Sequence, residues 1–323
     1  MDIGSVHLKR YVAISCITLL AVFACHAGEQ TTAPAPVQLV RKAVQNEVSA
    51  NTDSSVHFMF KNQRQTAHLS QVKLIVETRD ATAGMLVSQD GRPLTPEQMK
   101  IENARLDKYV QNPSELNRKR KQEKEDAEHT TRILAALPDA FLYEPDGTQP
   151  GTANVGKLGH DLVRLKFRPN PNYKPPSHVE QVLTGMEGYL LIDVAENRIA
   201  EINGAIQKEV GFGWGILGHL DRGGRFLVQQ ADVGDGHWEA TRMELSFTGK
   251  VLLVKSLNIR SMDIFSDFRP VQHDLTFAQG VELLKKEVAE MHSVGKNKEP
   301  KTAEHKRVNQ IKTQAEEQPC CNH

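Results

Sequence analysis

Between Cys25 and Cys320 the chain has no cysteine; its four stand at positions 16, 25, 320 and 321 of 323 residues. That absence excludes a disulfide-stapled core, a cysteine zinc site and a cysteine nucleophile in the body. Charge of one sign is missing too. Forty Lys+Arg face forty Asp+Glu beside 13 His, and a dedicated nucleic-acid binder would need a basic surplus. No G-x-S-x-G elbow and no H-E-x-x-H motif occurs, so neither acyl-transfer nor zinc-protease chemistry has its usual anchor. Long apolar runs are also lacking: the uncharged stretch YVAISCITLLAVFA, residues 11–24, is shorter than the roughly 20 residues of a membrane span. What is present suffices for a core. The hydrophobic share is 39%, or about 45% with glycine added and tyrosine left out.

Lys9 and Arg10 before that run, and small polar residues after it, are the layout of a secretory signal peptide over 1–27. Val22-Phe23-Ala24-Cys25 resembles a bacterial lipobox, in which Cys25 would be the lipidated residue and the protein would sit on a bacterial membrane. Cleavage after Ala24 or Ala27 would instead leave a soluble product. If Cys25 is used, His26 follows it, not the Asp that retains such lipoproteins at the inner membrane. The expected location is the periplasm or outer membrane. Residues 28–36 read as a Thr/Pro/Ala tether, and 292–323 as a polar tail too poor in apolar residues to offset ordering entropy.

Residues 37–291 form the body. Apolar positions at helical spacing predict a helix over 37–51, and alternation predicts strands over 56–62, 69–78 and 83–88. Thr95-Pro96-Glu97-Gln98 and Asn112-Pro113-Ser114-Glu115 each read as a capping box that opens a helix, giving a helical insertion over 95–138. The mixed charges of 118–128 predict a solvated face with i,i+4 ion pairs. Strands resume at 140–144 and 162–168, where Arg164, Lys166 and Arg168 form a cationic stripe expected to face water. Ser177 and Glu180 predict a short capped helix. A meander follows over 188–268, with turns at Gly234-Asp235-Gly236 and Thr248-Gly249-Lys250, and short links make its strands antiparallel. Thr276 with Gln279 caps a closing helix to about 292.

Three constellations bear on chemistry. Gly213-Trp214-Gly215-Ile216-Leu217-Gly218 spells G-x-G-x-x-G but lacks the parallel strand and helix of a dinucleotide site, so 211–224 reads as a glycine-rich bend. Asp232, Asp235, His237 and Glu239 are the weak metal candidates; Asp235 is also where a hairpin turn wants it, and the turn is the first reading. His219-Leu220-Asp221 and His273-Asp274 lack a nominated nucleophile. No cofactor and no enzymatic activity are expected.

The segments GYLLIDVAENRIAEI, GRFLVQQADVGDGHWEATRMELSF and LNIRSMDIFSDFRPV, with Asp193, Trp238, and Phe265 and Phe268 before Pro270, resemble the LolA and LolB-like lipoprotein carrier superfamily, especially its diverged lipoprotein-sorting relatives. The resemblance implies an α+β fold whose strongly curved antiparallel half-barrel wraps helices, and an apolar concave face that receives acyl chains. The insertion 95–138 departs from that pattern. Alternation along the strands offers Phe58, Phe60, Phe167, Phe226, Val228, Met243, Leu245, Phe247, Leu252 and Val254 as candidates to line the cavity, with ordinary core packing as the competing reading. The expected function is non-enzymatic binding of a lipid, an acyl chain or an acylated protein. The alternative is an envelope structural or interaction module with a filled core, and the third reading a metal-assisted enzyme at the 232–239 hairpin.

Overall fold

The computed structural model describes residues 35–51, 55–212, 218–251 and 255–297. The signal region with Cys16 and Cys25, most of the tether, the tail with Cys320 and Cys321, five residues of the glycine motif, and Leu252 and Val254 lie outside the described residues.

The chain opens with α1 (Pro36–Ala50), then β1 (His57–Thr66), β2 (Ser70–Val76), β3 (Ala83–Gln89) and the two-residue β4 (Arg92–Pro93). The insertion is α2 (Pro96–Gln111) and α3 (Pro113–Ala140). Next come β5 (Phe141–Pro150), β6 (Asp161–Pro169), and α4 (His178–Gln181) with a following 3₁₀ turn. The meander is β7 (Met186–Asp193), β8 (Arg198–Ile206), β9 (Val210–Phe212), β10 (Gly218–Leu220), β11 (Arg225–Asp232), β12 (Trp238–Val251) and β13 (Lys255–Val271), and α5 (Phe277–Asn297) ends it. The fold is α+β, as expected: one open, curved antiparallel sheet of 13 strands in the order β4-β3-β2-β1-β13-β12-β11-β8-β7-β6-β5, with β9 and β10 as a side branch on β12.

Local signals are realised with instructive exceptions. Thr95 and Gln98 exchange both bonds of a capping box, Thr95 Oγ1 accepting from Gln98 N at 3.2 Å and Gln98 Oε1 from Thr95 N at 2.8 Å; Thr276 and Gln279 repeat it. In the other two expected boxes the cap residue serves, but its acidic partner does not accept from the cap backbone N–H, Glu180 accepting from the Ser177 hydroxyl instead. Glu115 pairs with Arg118 and Lys108, and Glu180 with Arg132 Nε at 2.9 Å. The turn expected at Thr248-Gly249-Lys250 is strand instead, since β12 runs on to Val251. Gly249 is there because the backbone of His219 in β10 passes so close that a β-carbon would collide with its carbonyl oxygen. The glycine-rich bend of 211–224 thus contains β9 and β10, which pair with each other and onto β12.

Register shows how the core is divided. In an antiparallel sheet directly paired residues share a face, so one face can be followed across the strands: Leu165, Leu190, Ile202, Val228, Met243, Asp263, Arg64, Gln71. The line starts apolar and ends polar. On its apolar side α1 and the end of α3 pack over β5–β8, joining Val40, Val44, Leu137 and Ala140 to Leu165, Phe167, Leu190 and Ile192. At the other end of the sheet the apolar residues, Leu74, Val76, Ala83 and Met85, point to the opposite face and meet Phe277, Val281 and Leu284 of α5 and Leu106 of α2. The inversion falls at β13 and β1, where buried Asp263 accepts from Arg64 Nε at 2.7 Å and Asn62 Nδ2 at 3.0 Å.

The insertion ties the two edges together. Glu102 of α2 accepts from the outward-facing Leu86 N at 2.7 Å, and Arg105 donates to Gly84 O at 2.6 Å, so α2 covers the backbone edge of β3. Glu123 of α3 accepts from Thr82 N at 3.0 Å beside that edge, while Leu137 and Ala140 are buried beside β5 at the other. Fourteen helical residues between these anchors span about 21 Å. The nine strand-to-strand steps from β3 to β5 measure about 43 Å along the sheet. A chord of half the contour requires a sheet bent through more than a half circle, about 220° for a circular arc. Between its anchors, residues 124–130 of α3 are exposed on all sides.

Candidate functional site

The apolar candidates separate into two groups. Phe58 and Phe167 are core, with 5% and 4% of their surface exposed; Phe167 packs on Phe141 at 4.5 Å, and Phe58 meets His237 and Phe268 edge-on. The other described candidates form a half-buried strip across the middle of the sheet. Val228 pairs with Met243 and Phe226 with Leu245, Phe247 pairs with Ile259, and Phe60 stacks on Phe268 at 5.1 Å and meets Phe265 edge-on. Phe226 lies against Gly204, where a β-carbon would come within 2.7 Å of its ring. Among the described residues no helix makes more than marginal backbone contact with β11, β12 or β13, although Phe226 and Phe247 lean against the core cluster that contains α1 and the end of α3, Val271 against that of α5, and Gln230 Nε2 reaches Glu47 Oε2 at 3.4 Å. Ile202, Ile259, Phe265 and Phe268 extend the strip beyond the candidates read from alternation. Their signal was available, since Phe265 and Phe268 flank a bulge at Asp267, whose φ of 59° takes the chain out of simple alternation.

The four metal candidates of the 232–239 hairpin do not converge. Asp232 Oδ1 accepts from Gly234 N at 2.8 Å as a turn residue, and Asp235 occupies the left-handed corner at φ 54°. His237 stacks on Phe58. Glu239 is largely buried, and burial together with the nearby Glu77 carboxylate pushes it up to about 7 against the opposing pull of Arg198. Among the described residues, the group whose ligand atoms all lie within 4.8 Å of one another is Glu209, His219 and Asp221, with His219 Nε2 at 3.2 Å from Asp221.

Two buried polar anchors escaped sequence reasoning. Glu47 takes both Arg198 Nε at 2.9 Å and Arg198 Nη2 at 3.0 Å, and also accepts Ile199 N at 2.8 Å, locking α1 to β8. The available signal was a carboxylate on the apolar stripe that Val40, Ala43 and Val44 define. Asp193 is likewise buried, accepting from Ala195 N and Glu196 N and lying 3.0 Å from His160 Nδ1.

The opposite face of the middle strands is polar. It holds a cavity of about 720 Å³ whose lining includes Gln65, Asn203, Arg225, Glu244, Ser246 and Arg260. On the same face the expected cationic stripe is neutralised: Arg164 and Lys166 pair with Asp146 at 3.0 and 2.6 Å, Arg168 with Glu144 at 3.5 Å, and Arg164 stacks on Tyr189.

No protein-family model and no curated protein matches this chain. Among solved structures, the crystal structure of a DUF1329 family protein from Desulfovibrio piger is similar at 10% identity, over 72% of this chain and 92% of that one, with a TM-score of 0.25. A likeness of that size does not define a fold. Among the described residues no helix is long and apolar enough to cross a membrane.

Proposed function

We propose that the protein is an exported, non-enzymatic binder of an apolar ligand, a lipid, an acyl chain or an acylated protein, and that the half-buried strip on β11–β13 and β1 receives it. One observation carries this reading. Phe226, Val228, Met243, Leu245 and Phe247, with Phe60 across β13, are only half-buried on one sheet face; Phe226 and Phe247 lean on the edge of the α1–α3 core, but no helix lies along β11 or β12 among the described residues, whereas the two sheet ends are covered. Contiguous apolar surface left open in this way marks a binding face. The exposed middle of α3 supports it, because a helix anchored only at its ends leaves room beneath it. The resemblance of residues 188–271 to LolA and LolB-like carriers points the same way.

The experiment is lipid mass spectrometry on full-length protein purified without detergent, followed by exchange of a fluorescent fatty acid. Bound lipid and saturable exchange, weakened at least tenfold by Leu245→Glu with an unchanged far-UV spectrum, are expected. A lipid-free extract with no exchange would sink the proposal. Lipidation at Cys25 belongs to the same reading, and loss of labelled palmitate in Cys25→Ser tests it.

A further inference from the structure

On the face opposite the apolar strip, one line of paired residues runs Glu187, Ala205, Arg225, Ser246, Arg260, from β7 to β13. Arg225 and Arg260 are therefore two strands apart, about 10 Å between backbones, with the Ser246 hydroxyl midway. All three line the 720 Å³ cavity. Among the described residues neither arginine has an ion pair or a side-chain hydrogen bond, and Glu244, the carboxylate in the cavity, is already held by Arg242. Glu187 stands on the same line two strands from Arg225 and makes no ion pair with it. The contrast with Arg164, Lys166 and Arg168, each matched to a carboxylate, is within one face of one sheet. A cavity lined by two guanidinium forks without an ion pair, a hydroxyl between them and the amides of Gln65 and Asn203 has the donors for a tetrahedral oxyanion, and its carboxylate, Glu244, is already paired.

We propose that Arg225, Ser246 and Arg260 form a binding site for a phosphate group, in which each guanidinium donates to phosphate oxygens and the Ser246 hydroxyl donates to a third. Arg225, Ser246 and Arg260 alternate with the residues of the apolar strip along their strands, and although Phe226 and Leu245 also border the cavity, the arginine variants leave the strip's side chains in place, so either reading can fail alone.

The test is calorimetric titration of the full chain at low salt with glycerol 3-phosphate, beside co-sedimentation with phosphatidylglycerol and with phosphatidylcholine vesicles. Saturable binding of glycerol 3-phosphate assigns a free phosphate. Binding to phosphatidylglycerol vesicles alone assigns a lipid headgroup, and either outcome supports the site. Arg225→Gln and Arg260→Gln should each weaken binding about tenfold, the double variant should abolish it, and Arg225→Lys should restore part of it. Arg222→Gln, off the line, should leave binding unchanged. Melting curves establish that the variants are folded, which both exposed side chains allow. Undiminished binding by a folded double variant, or no binding of wild type to either probe, overturns the proposal.

Discussion

At the β5–β8 end of the sheet the apolar side chains point to the face that carries Leu165 and Leu190 and meet α1 and α3; at the β1–β3 end they point to the other face, with Leu74 and Met85, and meet α5 and α2. The two ends also differ in how their helices are held. α1 is clamped by a buried carboxylate, with Glu47 on Arg198 and Ile199 N, whereas α5 docks through Phe277, Val281, Leu284 and Val288 with only exposed or half-exposed ion pairs at its margins. α1 gains specificity of placement from a buried polar clamp, whereas the buried contacts of α5 are apolar and its polar ones, such as Phe277 N to Asp80 Oδ2 at 3.0 Å, lie at its start and margins. The strands between only lean on these cores, through Phe226 and Phe247 on one and Val271 on the other, which leaves the rest of their apolar side half-buried.

Breaking the clamp should have the largest effect. Glu47→Ala strands Arg198 in a largely buried position, and urea unfolding should show a loss of about 3–5 kcal/mol; Glu287→Ala, which removes the exposed pair to Arg269, should cost less than about 1 kcal/mol. A ratio near one would erase the contrast between the two ends. Leu284→Ala should cost roughly 3 kcal/mol by leaving a cavity under α5, and limited proteolysis should then cut near α5 before α1. Equal cutting at both would mean that the cores unfold as one.

The middle of the sheet is tested by pH. Glu239 has a folded value raised to about 7 from its ordinary 4.5, so its neutral form is the one that suits the fold. Stability from this group is complete below about 4.5 and is lost as pH rises through about 7. Glu239→Gln should therefore change little at pH 4 and stabilise by about 2–3 kcal/mol at pH 8. A variant whose unfolding curves shift equally at both values would remove the effect from Glu239. The smallest effect is expected in the bare part of α3: Ala127→Gly should cost about 1 kcal/mol, seen as faster amide exchange confined to α3.

Much of the local structure was legible in the sequence, because periodicity and capping act within a few residues. α1, the first three strands, the helical insertion and the closing helix lie within a few residues of where spacing predicted them. What was not legible depends on partners far along the chain. Alternation in β2 says that Leu74 and Val76 share a face, but not that this face is opposite to that of Leu165, since the sign is set by pairing across the six strands between β2 and β6. Gly249 reads as a turn until β10 is laid beside it. The apolar strip was half legible: alternation selected Phe226, Met243 and Leu245, yet could not tell them from Phe58 and Phe167, which are core. Arg225, Ser246 and Arg260 carry no motif, as only register brings them into line.

The anchoring of α3 at both sheet edges has a consequence for how such a protein changes its aperture. The helix acts as a strut, and its length sets the gap between the edges. Adding or deleting one helical turn in the unpacked segment 124–130 would move the edges by about 5.4 Å while keeping both anchoring faces in phase; a single-residue change would rotate one anchor by about 100° and break it. The gap between the sheet edges is thereby adjustable in steps at a segment that touches no core.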